Sequence, residues 1–199
     1  AGPDGVVFLA DEKNFCVRTL TRGAGGAWAV ATIAGDPAKS EVVDGEGAAG
    51  HFGSPTDLAY DAARQTLWVA DRDGGAVRAI DLSVAGKYPV RTVVRETADL
   101  ADGPAATAGF GVPSGIAVDA AGNVLVADWR AKRVRMITPA NEVRTLCGRD
   151  FIGLPEGPAV QGHVGNPWGM DVLPSGDVVF CDITGHKIRV IYRRAQKPA

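Results

Sequence analysis

The sequence predicts an all-β fold made of a four-stranded antiparallel unit that recurs along the chain. The clearest copy is VPSGIAVDAAGNVLVADWRAKRVRMITP, from Val112 to Pro139. It contains three runs in which β-branched or apolar residues alternate with polar or small ones, and Gly, Asn and Asp stand between the runs. This pattern is typical of short strands joined by tight turns.

An aspartate followed seven residues later by an arginine recurs four times. The aspartates end the runs VVFLAD, TLWVAD, NVLVAD and DVVFCD at Asp11, Asp71, Asp128 and Asp182. The arginines are Arg18, Arg78, Arg135 and Arg189. Successive aspartates are 60, 57 and 54 residues apart. A nearly fixed period of this size indicates an array of similar supersecondary units packed side by side.

Taken in order, the units cover residues 1–35, 36–95, 96–148 and 149–199. The first unit supplies three strands, in GVVFLAD, FCVRTL and Ala27–Ile33, and lacks the first strand of the pattern. The second supplies Leu58–Tyr60, Leu67–Ala70, Val77–Ile80 and Val90–Val94. The third supplies Ile116–Val118, Val124–Ala127, Val134–Ile137 and Glu142–Cys147. The fourth supplies Met170–Leu173, Asp177–Cys181 and Lys187–Tyr192, and lacks the fourth strand.

The second strand of each unit has apolar residues on both faces. Phe8, Trp68, Leu125 and Val179 share one face, and Leu9, Val69, Val126 and Phe180 share the other. Each unit is therefore expected to pack between two neighbours. The repeated Asp is expected to cap the turn that follows its strand, and the repeated Arg to pack its stem along the sheet.

The copies resemble the NHL-repeat family of β-propellers. The family pattern of a DG loop, Phe, Pro-x-Gly, Ile-Ala-Val-Asp, Gly-Asn, Val-x-Val-Ala-Asp and a closing Ile-Arg-x-Ile is followed closely from Asp102 to Ile137. Weaker copies are Asp44–Ile80 and Glu156–Ile191. The resemblance implies one partial NHL-type β-propeller, with four-stranded antiparallel blades arranged radially and Ile116–Val118 and its equivalents innermost. The family commonly has six blades, whereas this chain holds about three and a half repeats.

Composition excludes several classes of protein. The chain has 199 residues, 46% of them hydrophobic, and a net charge of −2, as expected of a folded globular protein. It has no apolar run of about 18 residues, so no membrane span is expected. Its first residue is Ala rather than Met, which suggests a processed chain or a fragment. The three cysteines, Cys16, Cys147 and Cys181, have no CxxC spacing. They are expected to be buried thiols in a reducing compartment, which favours the cytoplasm.

Two incomplete terminal units would leave exposed strand edges, which tend to pair with other chains. We therefore expect a larger ring, completed by further sequence or by a second copy of the chain.

Two histidines occupy the same place in their repeats, His51 in GHFGSP and His163 in GHVGNP. Some propeller relatives, such as peptide-amidating lyases, hold zinc with one histidine per blade. Here the unit between them has Gly109, and no third ligand is evident, so neither a metal nor another cofactor is expected. His186 falls where the repeat pattern has its own His and is expected to be structural. Asp171 replaces alanine in an innermost strand and is open to two interpretations, a ligand contact or hydration by channel water.

Connectivity places one set of loops on the same side of the fold, and we expect this loop face to bind a protein partner. Trp129 and Trp168 occupy loop positions where other repeats have smaller or charged residues. The candidate partner-binding residues are Trp168, Trp129, Arg72, Arg130, His51 and His163. Aromatic and arginine side chains on the loops of a rigid scaffold are typical binding anchors.

The predicted function is that of a non-catalytic binding and scaffolding module. One alternative is a propeller enzyme of the lyase or lactonase type, with a metal or ligand at the central axis. Another is RNA binding through the basic clusters Arg130–Arg135 and Lys187–Arg194. The balance of 21 basic against 23 acidic residues argues against RNA binding, because it provides no overall positive field.

Overall fold

The computed structural model describes residues 2–148 and 164–192, and strands within these ranges form four sheets. Blade 1 contains β1 (Val7–Asp11), β2 (Cys16–Arg22) and β3 (Trp28–Gly35). Blade 2 contains β4 (Gly45–Glu46), β5 (Pro55–Asp61), β6 (Thr66–Asp71), β7 (Ala76–Asp81) and β8 (Pro89–Glu96). Blade 3 contains β9 (Gly103–Pro104), β11 (Pro113–Val118), β12 (Val124–Asp128), β13 (Arg133–Ile137) and β14 (Glu142–Cys147). Blade 4 contains β15 (Pro167–Val172), β16 (Val178–Asp182) and β17 (Lys187–Ile191).

The long strands confirm the all-β fold class and the antiparallel blades. Consecutive long strands within each blade pair antiparallel, and β5, β11 and β15 lie next to one another as the innermost strands. Three two-residue strands were not predicted: β4, β9 and β10 (Gly109–Phe110), the last of which pairs parallel with β8. The only helical elements in the described part of the chain are three-residue 3-10 turns. No helix in those ranges is long and apolar enough to cross a bilayer.

Packing between blades follows from the register of the second strands. Trp68 of blade 2 packs with Val126 of blade 3, whereas Val69, on the other face of the same strand, packs with Val17 of blade 1. Leu125 of blade 3 packs with Val178 of blade 4. The expected use of both faces is therefore confirmed for the interior blades, whose cores lie between sheets.

The terminal blades each keep one open apolar face. On blade 1, Leu9, Trp28 and Val30 are exposed, and on blade 4, Ile188 and Tyr192 are 74% and 73% exposed. Completion of the ring by further sequence or by a second copy stays a prediction.

Two of the three free cysteines lie in the interior, and the third does not. Cys16 and Cys147 are buried, as expected, and burial raises the pKa of the Cys147 thiol to about 11. Cys181 is exposed, so the expectation that it is buried is wrong. It pairs in register with the exposed Ile188 and thus lies on the open face of blade 4.

The repeated aspartates of blades 2, 3 and 4 hold the loop that precedes the first strand of their blade. Asp128 accepts hydrogen bonds from the N–H groups of Gly111 (2.8 Å) and Val112 (2.9 Å), which precede the first strand. It also accepts one from Ala131 in the turn after its own strand, so the predicted cap is part of a wider clamp. A Cβ on Gly111 would approach the Asp128 carboxylate to 2.7 Å, and this close approach explains the glycine two residues before the repeated proline.

The repeated arginines of the interior blades are fully buried. Arg78 donates to the carbonyls of His51 and Val43 and to Asp44, and its guanidinium lies 5.2 Å from the centre of the Phe52 ring. Arg135 does the same in blade 3, with Asp102 at 3.1 Å and Phe110 at 5.0 Å. The arginine therefore fastens the DG loop to its blade, a role beyond the expected packing of its stem.

Candidate functional site

Hydroxyl groups at the start of the inner strands tie each interior blade to the next. The Thr56 hydroxyl of β5 lies 3.0 Å from the Ser114 carbonyl oxygen of β11. The Ser114 hydroxyl in turn lies 3.0 Å from the Pro167 carbonyl oxygen of β15. Both residues follow the repeated proline of their blade. The internal repeat thus defines a structural role for this position.

Trp168 occupies the same position in blade 4 and has no hydroxyl to donate. Its ring instead lies against the Arg72 guanidinium of blade 2, with 5.7 Å from the guanidinium carbon to the ring centre. Arg72 also donates to Glu12 of blade 1 at 2.9 Å. The Ser54 hydroxyl donates to the same Glu12 oxygen at 3.2 Å. Side chains from blades 1, 2 and 4 therefore converge, and we call Glu12, Arg72, Asp73 and Trp168 the axial mouth.

The charged groups at the axial mouth stabilise one another in their ionised forms. Hydrogen bonds with Asp73 and the carboxylate of Glu12 raise the pKa of the Arg72 guanidinium above its ordinary value. The bond with Arg72 lowers the pKa of Asp73, and the contact with Lys13, together with Arg72, lowers the pKa of Glu12. The guanidinium and both carboxylates are therefore ionised at neutral pH.

Two further carboxylates stand near the axis where the repeat has small residues. Asp57 on β5 corresponds to Gly115 and Gly169, and Asp171 on β15 corresponds to alanine in blades 2 and 3. Asp57 accepts a hydrogen bond from the Ile116 N–H of the next blade at 2.9 Å. Burial raises the pKa of Asp57, and the negative charge of Asp171 adds to the rise. Asp171 itself is exposed.

Trp129 and Arg130 lie in the turn between β12 and β13, one of the turns of the predicted loop face. Trp129 is 37% exposed, and the Asp128 clamp below it and its own N–H bond to Val112 hold its backbone. Its carbonyl accepts a bond from the Asn166 side chain of blade 4. The exposed Arg130 forms an ion pair with Glu96. These two residues belong to the loop face but not to the axial mouth.

His51, the one of the two predicted histidines that the structure describes, does not join this group. His51 is 6% exposed, and its Nδ1 lies 3.2 Å from Glu41 Oε1, so its ring is not available as an exposed anchor. Its backbone is drawn inward because its carbonyl accepts the bond from Arg78. His163 lies outside the described residues. His186, expected to be structural, takes a left-handed conformation with φ of 49° in the turn before β17.

The basic cluster Arg130–Arg135 does not form a basic surface. Arg130 is paired with Glu96, Arg133 donates to the Leu100 carbonyl, and Arg135 is fully buried. In the second cluster, Arg189 is paired with Asp182 at 2.7 Å, and residues 193–194 lie outside the described ranges. Among the described residues of the two clusters, every arginine is thus engaged or buried, and the exposed Lys132 and Lys187 are the cations left for phosphate binding.

No group of three or more His, Cys, Asp or Glu side chains within residues 2–148 and 164–192 is arranged to hold a metal ion. Asp57 and Asp171 supply two carboxylates, which is one ligand fewer than the usual minimum for a protein metal centre.

Sequence reasoning missed Glu12, Asp73 and Asp57 as site residues. Asp57 carried a usable signal, because it breaks the internal repeat at an inner strand, as Asp171 does. Glu12 follows the repeated Asp, as Arg72 and Trp129 do, and connectivity therefore places it on the loop face. Nothing in the sequence marks it or Asp73 as a site residue, because charged residues in turns are common and their meeting depends on the curvature of the ring.

Solved structures share this fold. An auxiliary nutrient binding protein from Bacteroides ovatus aligns with a TM-score of 0.72 and 14% identity, over 96% of this chain and 46% of its own. A protein of unknown function from Bacteroides thetaiotaomicron aligns with a TM-score of 0.71 and 18% identity, over 93% and 44%. Streptogramin B lyase aligns with a TM-score of 0.57 and 15% identity, over 94% and 47%. The chain therefore spans less than half the length of these structures, and no curated protein matches it significantly.

Sequence comparison with family models identifies a different propeller family from the one expected. The expected NHL-repeat assignment is not confirmed, although the broader assignment to a β-propeller is. Residues 3–147 match the model described as the SMP-30/gluconolactonase/LRE-like region. Since this match spans well over half of the 199 residues, the chain belongs to the SMP-30/gluconolactonase/LRE-like family.

Proposed function

We propose that the chain is a non-catalytic binding module that engages a protein partner through its loop face, with Trp168 at the axial mouth and Trp129 beside it as anchors. One observation carries the proposal: Trp168 replaces a blade-tying hydroxyl and lies against Arg72 of blade 2, which is itself bonded to Glu12 of blade 1. A residue that departs from the internal repeat at a structural position without replacing its bond is best explained by recognition.

Rigid presentation of both tryptophans supports this function. The Asp128 clamp fixes the loop that bears Trp129, and the corresponding clamp of Asp182 fixes the loop that leads into Trp168. An anchor held by the scaffold loses little conformational freedom on binding, and tryptophan is enriched among residues that dominate binding energy. A protein partner is favoured over RNA because the arginines near Trp129 are already engaged in internal contacts.

The test is affinity capture on the immobilised chain, followed by calorimetric titration of the captured protein. We expect Trp168→Ala and Trp129→Ala each to weaken binding by about 1–3 kcal/mol, the range for anchor residues. The matched control is Trp28→Ala, because Trp28 also stacks with an arginine, Arg22, at 6.0 Å but lies on blade 1 away from the loop face. Thermal melts check that each variant folds. Unchanged affinity in the double variant of Trp129 and Trp168 would reject the site.

A second candidate is ring-opening catalysis at the axis, favoured by the Asp57 carboxylate with its raised pKa and by the family membership. In this reaction Asp57 accepts a proton from a water molecule as its oxygen attacks a lactone carbonyl. The ring C–O bond then breaks, and the departing oxygen takes up a proton. The probe is glucono-δ-lactone hydrolysis followed at constant pH. Asp57→Asn would lower the rate by about 100-fold or more if Asp57 is the base. A rate equal to the uncatalysed one in the unmodified chain would remove this candidate.

A further inference from the structure

The Arg72 side chain occupies a site that has the composition of a receptor for an organic cation. Its guanidinium lies over the Trp168 ring at 5.7 Å and is bound by the carboxylates of Glu12 at 2.9 Å and Asp73 at 2.9 Å. An aromatic face combined with two carboxylates is the usual environment of a bound guanidinium or ammonium group. The three groups come from blades 1, 2 and 4, so the receptor exists only because the ring brings them together.

The negative charge around the axial mouth favours the binding of a cation over the binding of an anion. Among the described side chains, the carboxylates of Glu12 and Asp73 at the mouth and of Asp57 and Asp171 on the inner strands β5 and β15 outnumber the cations Arg72 and Lys13. Lys13 is 82% exposed, so its charge is well screened by solvent. An incoming carboxylate or phosphate would meet Arg72 together with this excess of negative charge.

Arg72 can leave its position without loosening the loop on which it stands. The loop is held by the Arg72 backbone N–H, which donates to the Ser54 carbonyl at 2.9 Å, and by the bonds of the Asp71 carboxylate to Gly53 and Ser54. None of these bonds uses the guanidinium. A change in the Arg72 rotamer would therefore vacate the Trp168 face and leave Glu12 in place.

We propose that the axial mouth receives a cationic side chain of the partner, an arginine or a lysine, in the place that Arg72 occupies in the free chain. The inference rests on the proposed function, since it assigns the chemistry of the group that reaches Trp168. Arg72 acts here as an internal competitor and not as a contact for an anionic partner. Its removal should therefore strengthen cation binding, which is the opposite of the effect expected for an anchor.

The experiment titrates the chain with capped tripeptides, acetyl-Gly-Arg-Gly-amide, its lysine form and its glutamate form, using calorimetry. We expect Arg72→Ala to bind the arginine peptide about fivefold or more tightly than the unmodified chain, because the competitor is gone. Adding Trp168→Ala to that variant should reverse the gain, and Glu12→Gln should reduce it. Arg72→Gln serves as a second variant because it keeps a hydrogen-bonding group toward Glu12. Arg22→Ala, which breaks the other arginine–tryptophan pair, should change nothing.

Weaker binding of the arginine peptide by both Arg72 variants, or preferential binding of the glutamate peptide, would overturn the inference. Calcium chloride that binds more tightly than either basic peptide and depends on Glu12 would also overturn it. The two proposals fail separately. Loss of partner binding in Trp168→Ala without any binding of basic peptides removes only the cation assignment. Binding of basic peptides together with an unchanged partner affinity in the double variant of Trp129 and Trp168 removes only the assignment of the partner-binding site.

Discussion

The interior and terminal blades contain the same Asp–Arg pair in different surroundings. In blades 2 and 3, Arg78 and Arg135 have no exposed side-chain surface, whereas Arg18 of blade 1 is 28% exposed. Burial lowers the pKa of both interior arginines, and their terminal guanidinium nitrogens donate to loop carbonyls and to Asp44 or Asp102. The same Asp–Arg motif therefore contributes differently to stability in different blades, because the presence of a neighbouring blade determines how far the pair is desolvated.

The largest expected effect separates the two classes of blade directly. Arg135→Ala leaves Asp128 and Asp102 without their buried cation and should lower the free energy of unfolding by about 3–5 kcal/mol. Arg18→Ala removes a partly exposed pair with Asp11 and should cost at most about 1 kcal/mol. Urea unfolding followed by circular dichroism measures both. Similar losses in the two variants would show that burial does not distinguish the blades.

The pH dependence of stability should differ between Asp182 and Asp128. Burial opposes ionisation of Asp182, but the N–H groups of Gly165 and Gly185 together with Arg189 outweigh it and lower the carboxyl pKa below 3.8. The stabilisation by Asp182 is thus present above pH 3.8 and is lost as the pH falls through the lowered pKa. Asp182→Asn should lower the free energy of unfolding by about 1.5–3 kcal/mol at neutral pH. It should also reduce the further loss of stability as the pH falls.

Asp128 should show the opposite slope. Burial raises its pKa above 3.8, so the folded state binds the proton more tightly than the unfolded state does. Protonation of Asp128 therefore adds stability as the pH falls from the raised pKa toward 3.8. The measurement is the free energy of unfolding from pH 7 to pH 3 for Asp182→Asn and Asp128→Asn. Parallel acid profiles in the two variants would contradict the assignment.

A smaller effect concerns the approach of inner strands. A Cβ on Gly115 would lie 2.1 Å from the Trp168 carbonyl oxygen, whereas nothing lies within 4 Å of the same position on Gly169. Gly115→Ala should therefore cost about 1–3 kcal/mol through displacement of β15. Gly169→Ala, the matched control, should stay within about 0.5 kcal/mol. Thermal melts of both variants provide the test, and an equally stable Gly115→Ala protein would mean that the strands are farther apart.

The smallest expected effect is loss of one tie between blades. Ser114→Ala removes the hydroxyl that reaches the Pro167 carbonyl and should cost about 1 kcal/mol. Ser83→Ala, which removes an exposed hydroxyl bonded to Asp81, is the control and should cost less. The urea midpoints of the two variants give the comparison. If Ser83→Ala loses as much stability as Ser114→Ala, the bond between blades contributes no more than an exposed hydrogen bond.

The local sequence pattern predicted the long strands because each one contains its own alternation of apolar and polar residues and is bounded by its own turn residues. The run Val124–Ala127 was assigned from its apolar residues and its terminal Asp, and β12 covers Val124–Asp128. The two-residue strands escaped prediction, because Gly103–Pro104 pairs with β14 across the blade and has no pattern of its own. Strand pairing over that separation depends on the DG loop, which the buried Arg135 holds.

The candidate site was predictable only where a residue departed from its equivalents. Trp168 was singled out because no other repeat has an aromatic side chain there, but its contact with Arg72 joins residues 96 positions apart. The exposure of His51 could not be judged from its loop position, because its burial follows from the bond between its carbonyl and Arg78. Long-range contacts of this kind depend on the curvature of the blade array, and the local sequence contains no signal for them.

The hydroxyl ties along the inner strands have a consequence for how such a ring can change during evolution. Thr56 reaches Ser114 across 58 positions, and Ser114 reaches Pro167 across 53, so each bond spans one repeat. Donor and acceptor stand at the same position of the repeat in the first bond and at adjacent positions in the second, and a duplicated blade therefore brings a hydroxyl for the next blade and a carbonyl for the previous one. Blades can be inserted or deleted by recombination without the invention of a new contact at the joint.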